Sequence, residues 1–137
     1  ALDVIIQAQV LKVMKELQQK LNLSMILISH DLSIIAETCN KCAIMYAGKI
    51  AEYGDTSSIF KKPLHPYTEK LISAFPSILG EKRKLTFVEG FPPDLLNPPS
   101  GCRFHPRCPH SIEICKKKQP RITKVDKGHD VACHHIR

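Results

Sequence analysis

The chain has 137 residues, the size of one ordinary domain or of a small domain with an appendage. Its apolar fraction of 43% is enough for a globular core, and no apolar run nears the roughly 20 residues that a bilayer-crossing helix needs. The net charge of +7 sits at one end: residues 1–100 hold 11 Lys/Arg against 10 Asp/Glu, and residues 101–137 hold 9 against 3.

Ala1-Leu2-Asp3 has neither a starting Met nor the basic region of a signal peptide, which predicts a fragment of a longer chain. Asp3 is a good N-cap. Behind it Ile6, Val10, Val13, Met14, Leu17 and Leu21 recur at steps of three and four, predicting an amphipathic helix of about five turns. Ser24–Ser29 is short and apolar on both faces, as a buried parallel strand should be. His30-Asp31 ends it, and Asp31 caps a second helix running to about Cys39. Cys42–Tyr46, the Ala47-Gly48 turn and Lys49–Tyr53 read as two strands of a hairpin. Gly54-Asp55 caps a short helix to about Phe60, and Tyr67–Phe75 makes another.

From Pro76 the texture changes. Prolines at 76, 92, 93, 98 and 99 break any helix, and Glu81–Lys84 is a solvated charge run, so 76–100 is expected to be an extended connector. The alternation of helix and strand in 1–75 predicts part of an α/β sheet whose remainder lies upstream. Residues 101–137 are expected as a separate unit organised by metal, because the segment has few apolar residues with which to fold unaided.

Six cysteines are present, four of them in the last 36 residues. Without a secretion signal, clustered cysteines favour a metal over disulfides. Cys102, Cys108, Cys115 and Cys133 follow C-x5-C-x6-C-x17-C. Four thiolates can hold either Zn²⁺ or a [4Fe–4S] cluster. Structural zinc usually uses tight knuckles of two to four spacer residues, so the wider gaps suit a larger object. His105, His110, His134 and His135 are alternative zinc ligands, while Arg103, Arg107 and Lys116–Lys118 can offset an anionic centre. Cys39-Asn40-Lys41-Cys42 has redox spacing, but it spans a helix end and a strand start, where Cys is a common small core residue.

His30 follows an expected strand, and open α/β sheets bind ligands at the carboxyl ends of their strands. An imidazole there can donate to a phosphate oxygen or position water. Ala1-Leu2-Asp3-Val4, Gln7-Ala8, Val10-Leu11 and then Met25–Leu32 resemble the ABC ATPase family. That resemblance implies that Ala1, Leu2 and Asp3 form the D-loop, with Asp3 at the interface to a second ATPase subunit. It implies that His30 is the switch histidine at the γ-phosphate, and that Met45–Gly54 is the hairpin after the switch. Leu64–Pro76, with its His65-Pro66-Tyr67-Thr68 core, resembles the oligopeptide, dipeptide and nickel importer branch. Gly90–Leu95, Pro99–Cys102 and Arg107–Pro109 continue the likeness. In that branch the four cysteine positions resemble a [4Fe–4S] site.

The sequence contains no G-x-x-x-x-G-K-[ST] phosphate loop, Gln loop, Leu-Ser-Gly-Gly-Gln signature or Walker B strand, so this piece is not expected to hydrolyse ATP by itself. The expected fold is the C-terminal part of an ABC-type P-loop ATPase domain followed by a small irregular Cys-rich metal-binding extension. The expected function is the ATP-hydrolysing subunit of a peptide importer. The resemblance implies ATP with Mg as cofactor, permease subunits as partners, no nucleic acid, and a place on the cytoplasmic face of the membrane. The alternative is a small zinc-stabilised nucleic-acid-binding module, suggested by the basic tail; against it, Phe104 is the only Phe, Tyr or Trp in 101–137 available to stack on bases.

Overall fold

The computed structural model describes residues 4–74 and 90–136. Asp3, Phe75 and the part of the expected connector from 76 to 89 lie outside the described residues. The chain divides into two compact units, Ala1–Cys39 and Asn40–Arg137.

In the first unit, helix α1 (Val4–Leu21) runs for 18 residues, in line with the expected five turns or so. Asn22 ends it with φ +50, and the Leu23 N–H donates to the Gln18 carbonyl at 3.0 Å. Asparagine tolerates the left-handed conformation that lets a helix end this way. Of the apolar stripe of α1, Ile6, Val10, Val13, Leu17 and Leu21 are exposed, from 44% at Val10 to 61% at Leu21, and Met14 is half-buried. Ser24–Ser29 corrects the sequence reading: it forms no strand, and Ile26 and Ile28 are 94% and 93% exposed. A parallel strand buried on both faces needs strands beside it and helices over it, and none of the described strands pairs with this run. Helix α2 (Leu32–Thr38) starts as expected, with the Asp31 carboxylate accepting from the Ser33 N–H at 2.9 Å.

The second unit is built on a four-stranded antiparallel sheet ordered β1-β2-β4-β3. Strands β1 (Lys41–Tyr46) and β2 (Lys49–Asp55) form the expected hairpin. Its turn residues Ala47 and Gly48 have φ of +47 and +76, the signs that a tight primed turn requires. β1 alternates cleanly and turns Cys42, Ile44 and Tyr46 inward. Cys42 is therefore placed as a core residue.

The pairing slips between Ile44 and Met45, so β2 carries one extra residue there. A bulge breaks the two-residue alternation, and Ala51 and Glu52 are both buried in succession. Helices α3 (Thr56–Lys61) and α4 (Pro66–Ser73) follow. Asp55 precedes α3 without a side-chain capping bond.

The tail is more ordered, and more closely joined to the hairpin, than its sequence suggests. It contains a 3-10 turn (His105–Arg107), helix α5 (Glu113–Lys117), and strands β3 (Thr123–Asp126) and β4 (His129–Val131). β4 pairs with β2, with Glu52 opposite Val131 and Gly54 opposite His129. A Cβ on Gly54 would lie 2.5 Å from the Gly128 carbonyl oxygen. Only glycine allows that approach, and through it 101–137 shares one sheet with the hairpin.

Candidate functional site

The cysteine segment is anchored on Phe104, which is 2% exposed. Its ring centroid lies 5.0 Å from Tyr46, 5.5 Å from Tyr67 and 5.7 Å from His65, all tilted or edge-on. Edge-on and tilted contacts suit the aromatic quadrupole and add to the burial gain. Around this plug, Arg103 donates to the Ala47 carbonyl in the hairpin turn. The Arg107 guanidinium donates to the Tyr46 hydroxyl at 3.3 Å. The two arginines that the sequence suggested as counter-charges thus also clasp the tail to the hairpin.

Cys102 follows Gly101, whose φ is +67. A Cβ on Gly101 would lie 2.3 Å from the Cys115 carbonyl oxygen, the same oxygen that accepts from the Cys102 N–H at 2.7 Å. The glycine lets these two cysteines approach through their backbones. The 3-10 turn carries the chain to Cys108, α5 carries Cys115, and the end of β4 delivers Cys133 after the Ala132 N–H donates to the Ala51 carbonyl at 2.8 Å.

None of the four forms a disulfide. Burial pushes the thiols of Cys102, Cys108 and Cys133 above the ordinary range, and their neighbours push further. Cys102 feels Cys115 and Cys133, Cys108 feels Cys102 and Cys115, and Cys133 feels Cys108 and Cys115. Backbone N–H groups work the other way, favouring thiolate: Phe104 and His105 on Cys102, His110 on Cys108, and His135 on Cys133 at 3.3 Å. Among the described residues, no three His, Cys, Asp or Glu side chains form a ligand set for a single metal ion.

Two of the alternative histidine ligands each use one ring nitrogen in a hydrogen bond, and the other two stack on each other. His105 Nδ1–H donates to the Cys102 carbonyl at 2.9 Å, and His134 Nε2–H donates to the Lys118 carbonyl at 2.7 Å. The His110 and His135 rings stack 5.5 Å apart.

Beside the cysteines lies a polar centre that the sequence reading missed. Glu52 is fully buried, and its carboxylate accepts three bonds: from the Leu64 N–H and the His65 N–H at 2.9 Å each, and from His129 Nε2 at 2.6 Å. His65 in turn caps α4, its Nδ1 accepting from the Tyr67 N–H at 3.0 Å. Burial lowers the His65 pKa to about 4 against an opposing pull from Glu52, so the ring is neutral at neutral pH. The proline at the first turn of α4 was legible; the buried glutamate beneath it was not. A lone Glu in a strand reads as solvent-facing unless the bulge and a distant His are known.

Of the ATP-site candidates, Asp3 lies outside the described residues. His30 is an exposed residue at the bend after the 24–29 run. All four cysteines lie in the Asn40–Arg137 unit, while His30 belongs to the other.

Residues 51–115 match the model of the family described as oligopeptide/dipeptide transporter, C-terminal region. That stretch runs from β2 through the His65–Thr68 block to Cys115. The chain is 46% identical over 134 residues to the dipeptide transport ATP-binding protein DppD of Caldanaerobacter subterraneus subsp. tengcongensis, covering 98% of this chain and 41% of that protein. It is 45% identical over 133 residues to the oligopeptide transport ATP-binding protein AppD of Bacillus subtilis, covering 97% and 40%. With the oligopeptide transport ATP-binding protein OppD of Escherichia coli it shares 43% over 120 residues, covering 88% and 36%. The chain thus spans about two fifths of the length of these relatives. Their names speak of transport and ATP binding, and lend nothing to the nucleic-acid alternative. Among the described residues, no helix is long and apolar enough to cross a membrane.

Proposed function

We propose that the chain is part of an ATP-binding and ATP-hydrolysing subunit that powers peptide import through an ABC transporter. The observation that carries this reading is the 46% identity, over 98% of the chain, to a dipeptide transport ATP-binding protein. In the complete subunit, ATP with Mg²⁺ would close a dimer of such subunits against transmembrane permeases at the cytoplasmic face of the membrane. Asp3 would lie at the dimer interface. His30 would donate to the γ-phosphate or position the attacking water, a role suited to a group that stabilises charge without covalent chemistry. The test is His30→Ala in the full-length subunit. ATP turnover is expected to fall while ATP binding stays close to wild type, and unchanged turnover rejects the assignment. The present chain, which lacks a phosphate loop, is expected to show no tight ATP binding by calorimetry.

Cys102, Cys108, Cys115 and Cys133 are assigned to a [4Fe–4S] cluster. The support is chemical: four neighbouring thiols, backbone N–H groups aimed at three of them, and Arg103 and Arg107 within the segment. When bound, such a centre supplies one-electron redox capacity and cross-links the segment that holds it. The residues themselves would position the thiolates for such a centre. Anaerobically purified protein is expected to be brown, with iron and sulfide in equal amounts. Colourless protein with one zinc per chain would replace the cluster with zinc on the same ligands.

A further inference from the structure

We propose that Lys117, Lys118, Arg121 and Lys124, with Ile114 and Ile122 among them, form a docking surface for an anionic phospholipid leaflet. This rests on the reading of the chain as part of a subunit at the cytoplasmic face of the membrane, and it names the surface that would meet the lipid.

The fold gathers these residues at the end of β4. Helix α5 ends at Lys117, and the next carbonyl, that of Lys118, accepts from His134 Nε2–H at 2.7 Å. β3 begins at Thr123, which pairs with Val131 and whose hydroxyl donates to the Val131 carbonyl at 3.2 Å. Val131 and His134 are three positions apart, so the Lys116–Lys118 run and the start of β3 are held beside one another. β3 is also an outer strand of the sheet. Lys117, Lys118, Arg121 and Lys124 are all exposed, as are Ile114 at 43% and Ile122 at 50%.

The positive charge is left over. Glu113 engages Lys116 at 2.6 Å, but among the described residues no carboxylate pairs with Lys117, Lys118, Arg121 or Lys124. Asp130 stands opposite Lys124 in the sheet and forms no ion pair with it. A face both basic and aliphatic fits the headgroup region, where cations meet phosphates and apolar side chains enter the acyl boundary. Nucleic acid offers the same phosphates, but single strands need rings to stack on. Phe104, the only Phe, Tyr or Trp of 101–137, is 2% exposed.

The experiment is co-sedimentation of this chain with vesicles of phosphatidylcholine, either pure or mixed equally with phosphatidylglycerol. Binding to the mixed vesicles is expected, with none to the pure ones and a steep loss in high salt. Each basic residue near an anionic leaflet contributes about fivefold to partitioning. The triple variant Lys117→Gln/Lys118→Gln/Arg121→Gln is therefore expected to bind about a hundredfold more weakly. Ile122→Ser is expected to weaken binding while keeping its salt dependence. Should the triple variant not fold, Lys124→Gln decides, with an expected loss of about fivefold. α1 also carries exposed apolar residues between lysines, so Lys12→Gln/Lys15→Gln/Lys20→Gln removes equal charge from a rival surface. That variant is expected to bind as wild type does. No binding to the mixed vesicles, or an equal loss in the two triple variants, overturns the proposal. Tighter binding to an oligonucleotide than to the mixed vesicles also overturns it and gives the surface to nucleic acid. Any of these failures leaves the transporter reading standing, since that is decided separately by ATP turnover in the full-length subunit.

Discussion

Glu52 on β2 and His129 on β4 stand 77 positions apart in the chain, and their side chains meet at 2.6 Å in a fully enclosed site. A buried carboxylate is tolerated only when its hydrogen-bonding capacity is met. Here two backbone amides and one imidazole meet it. Removing any donor leaves a buried polar group that cannot reach water, so this contact specifies how the tail lies on the hairpin more than it adds net stability.

Hairpin and tail approach closely at Gly54. A side chain there would meet the Gly128 carbonyl oxygen at 2.5 Å and the His129 Cα at 3.1 Å. Gly54→Val is expected to push β4 from β2 and cost about 2 kcal/mol or more, in the range of overpacking strain. Urea denaturation would give the loss, and faster amide exchange at Ala132 would locate it.

Stability should depend on pH through His65. Its folded pKa of about 4 lies below the usual 6.5, so between these values the unfolded chain binds the extra proton and the folded chain does not. The contribution is fully present above 6.5 and is lost as pH falls toward 4, reaching at most about 3 kcal/mol. His65→Asn retains a side-chain acceptor for the Tyr67 N–H but cannot take up the proton. The variant is expected to show a shallower fall in melting temperature between pH 7 and pH 4.5 than wild type.

Phe104 organises the tail by burial. Phe104→Ala should cost about 3–5 kcal/mol, the usual range for a fully enclosed ring. The fluorescence of Tyr46 and Tyr67, which both pack against it, should report the loss during denaturation. A variant as stable as wild type would show that Phe104 does not organise the segment.

Serine at Cys102, Cys108, Cys115 or Cys133 is expected to abolish the brown colour and open 101–137 to protease, whereas Cys39→Ser and Cys42→Ser should leave both unchanged. Before metal is loaded, the raised pKa values of Cys102, Cys108 and Cys133 keep these thiols protonated at neutral pH. Their alkylation in metal-stripped protein should therefore keep accelerating as pH rises past the range of an ordinary thiol.

Local signals carried much of the first 75 residues. Helical periodicity marked α1, the Asp31 cap marked α2, and Ala47-Gly48 between apolar strands marked the hairpin. The 24–29 run failed for a reason of physics: apolar residues alone do not make a parallel strand without neighbours to receive its hydrogen bonds. The tail was misjudged in the other direction. Thr123–Asp126 and His129–Val131 are short and polar, so they do not read as strands, and β4 is specified by the edge that β2 offers it. Glu52 stayed hidden because the bulge at Ile44 and Met45 turns inward a residue that strict alternation would turn out.

The pairing of β4 with β2 has a practical consequence. A chain cut near Ser100 would leave the backbone groups on the β4-facing edge of β2, such as the Ala51 carbonyl, without partners, along a strand where Glu52 has also lost its imidazole. Unpaired edges of this kind recruit other chains. Shortened versions of this protein should self-associate, with the tail acting as a built-in guard against aggregation.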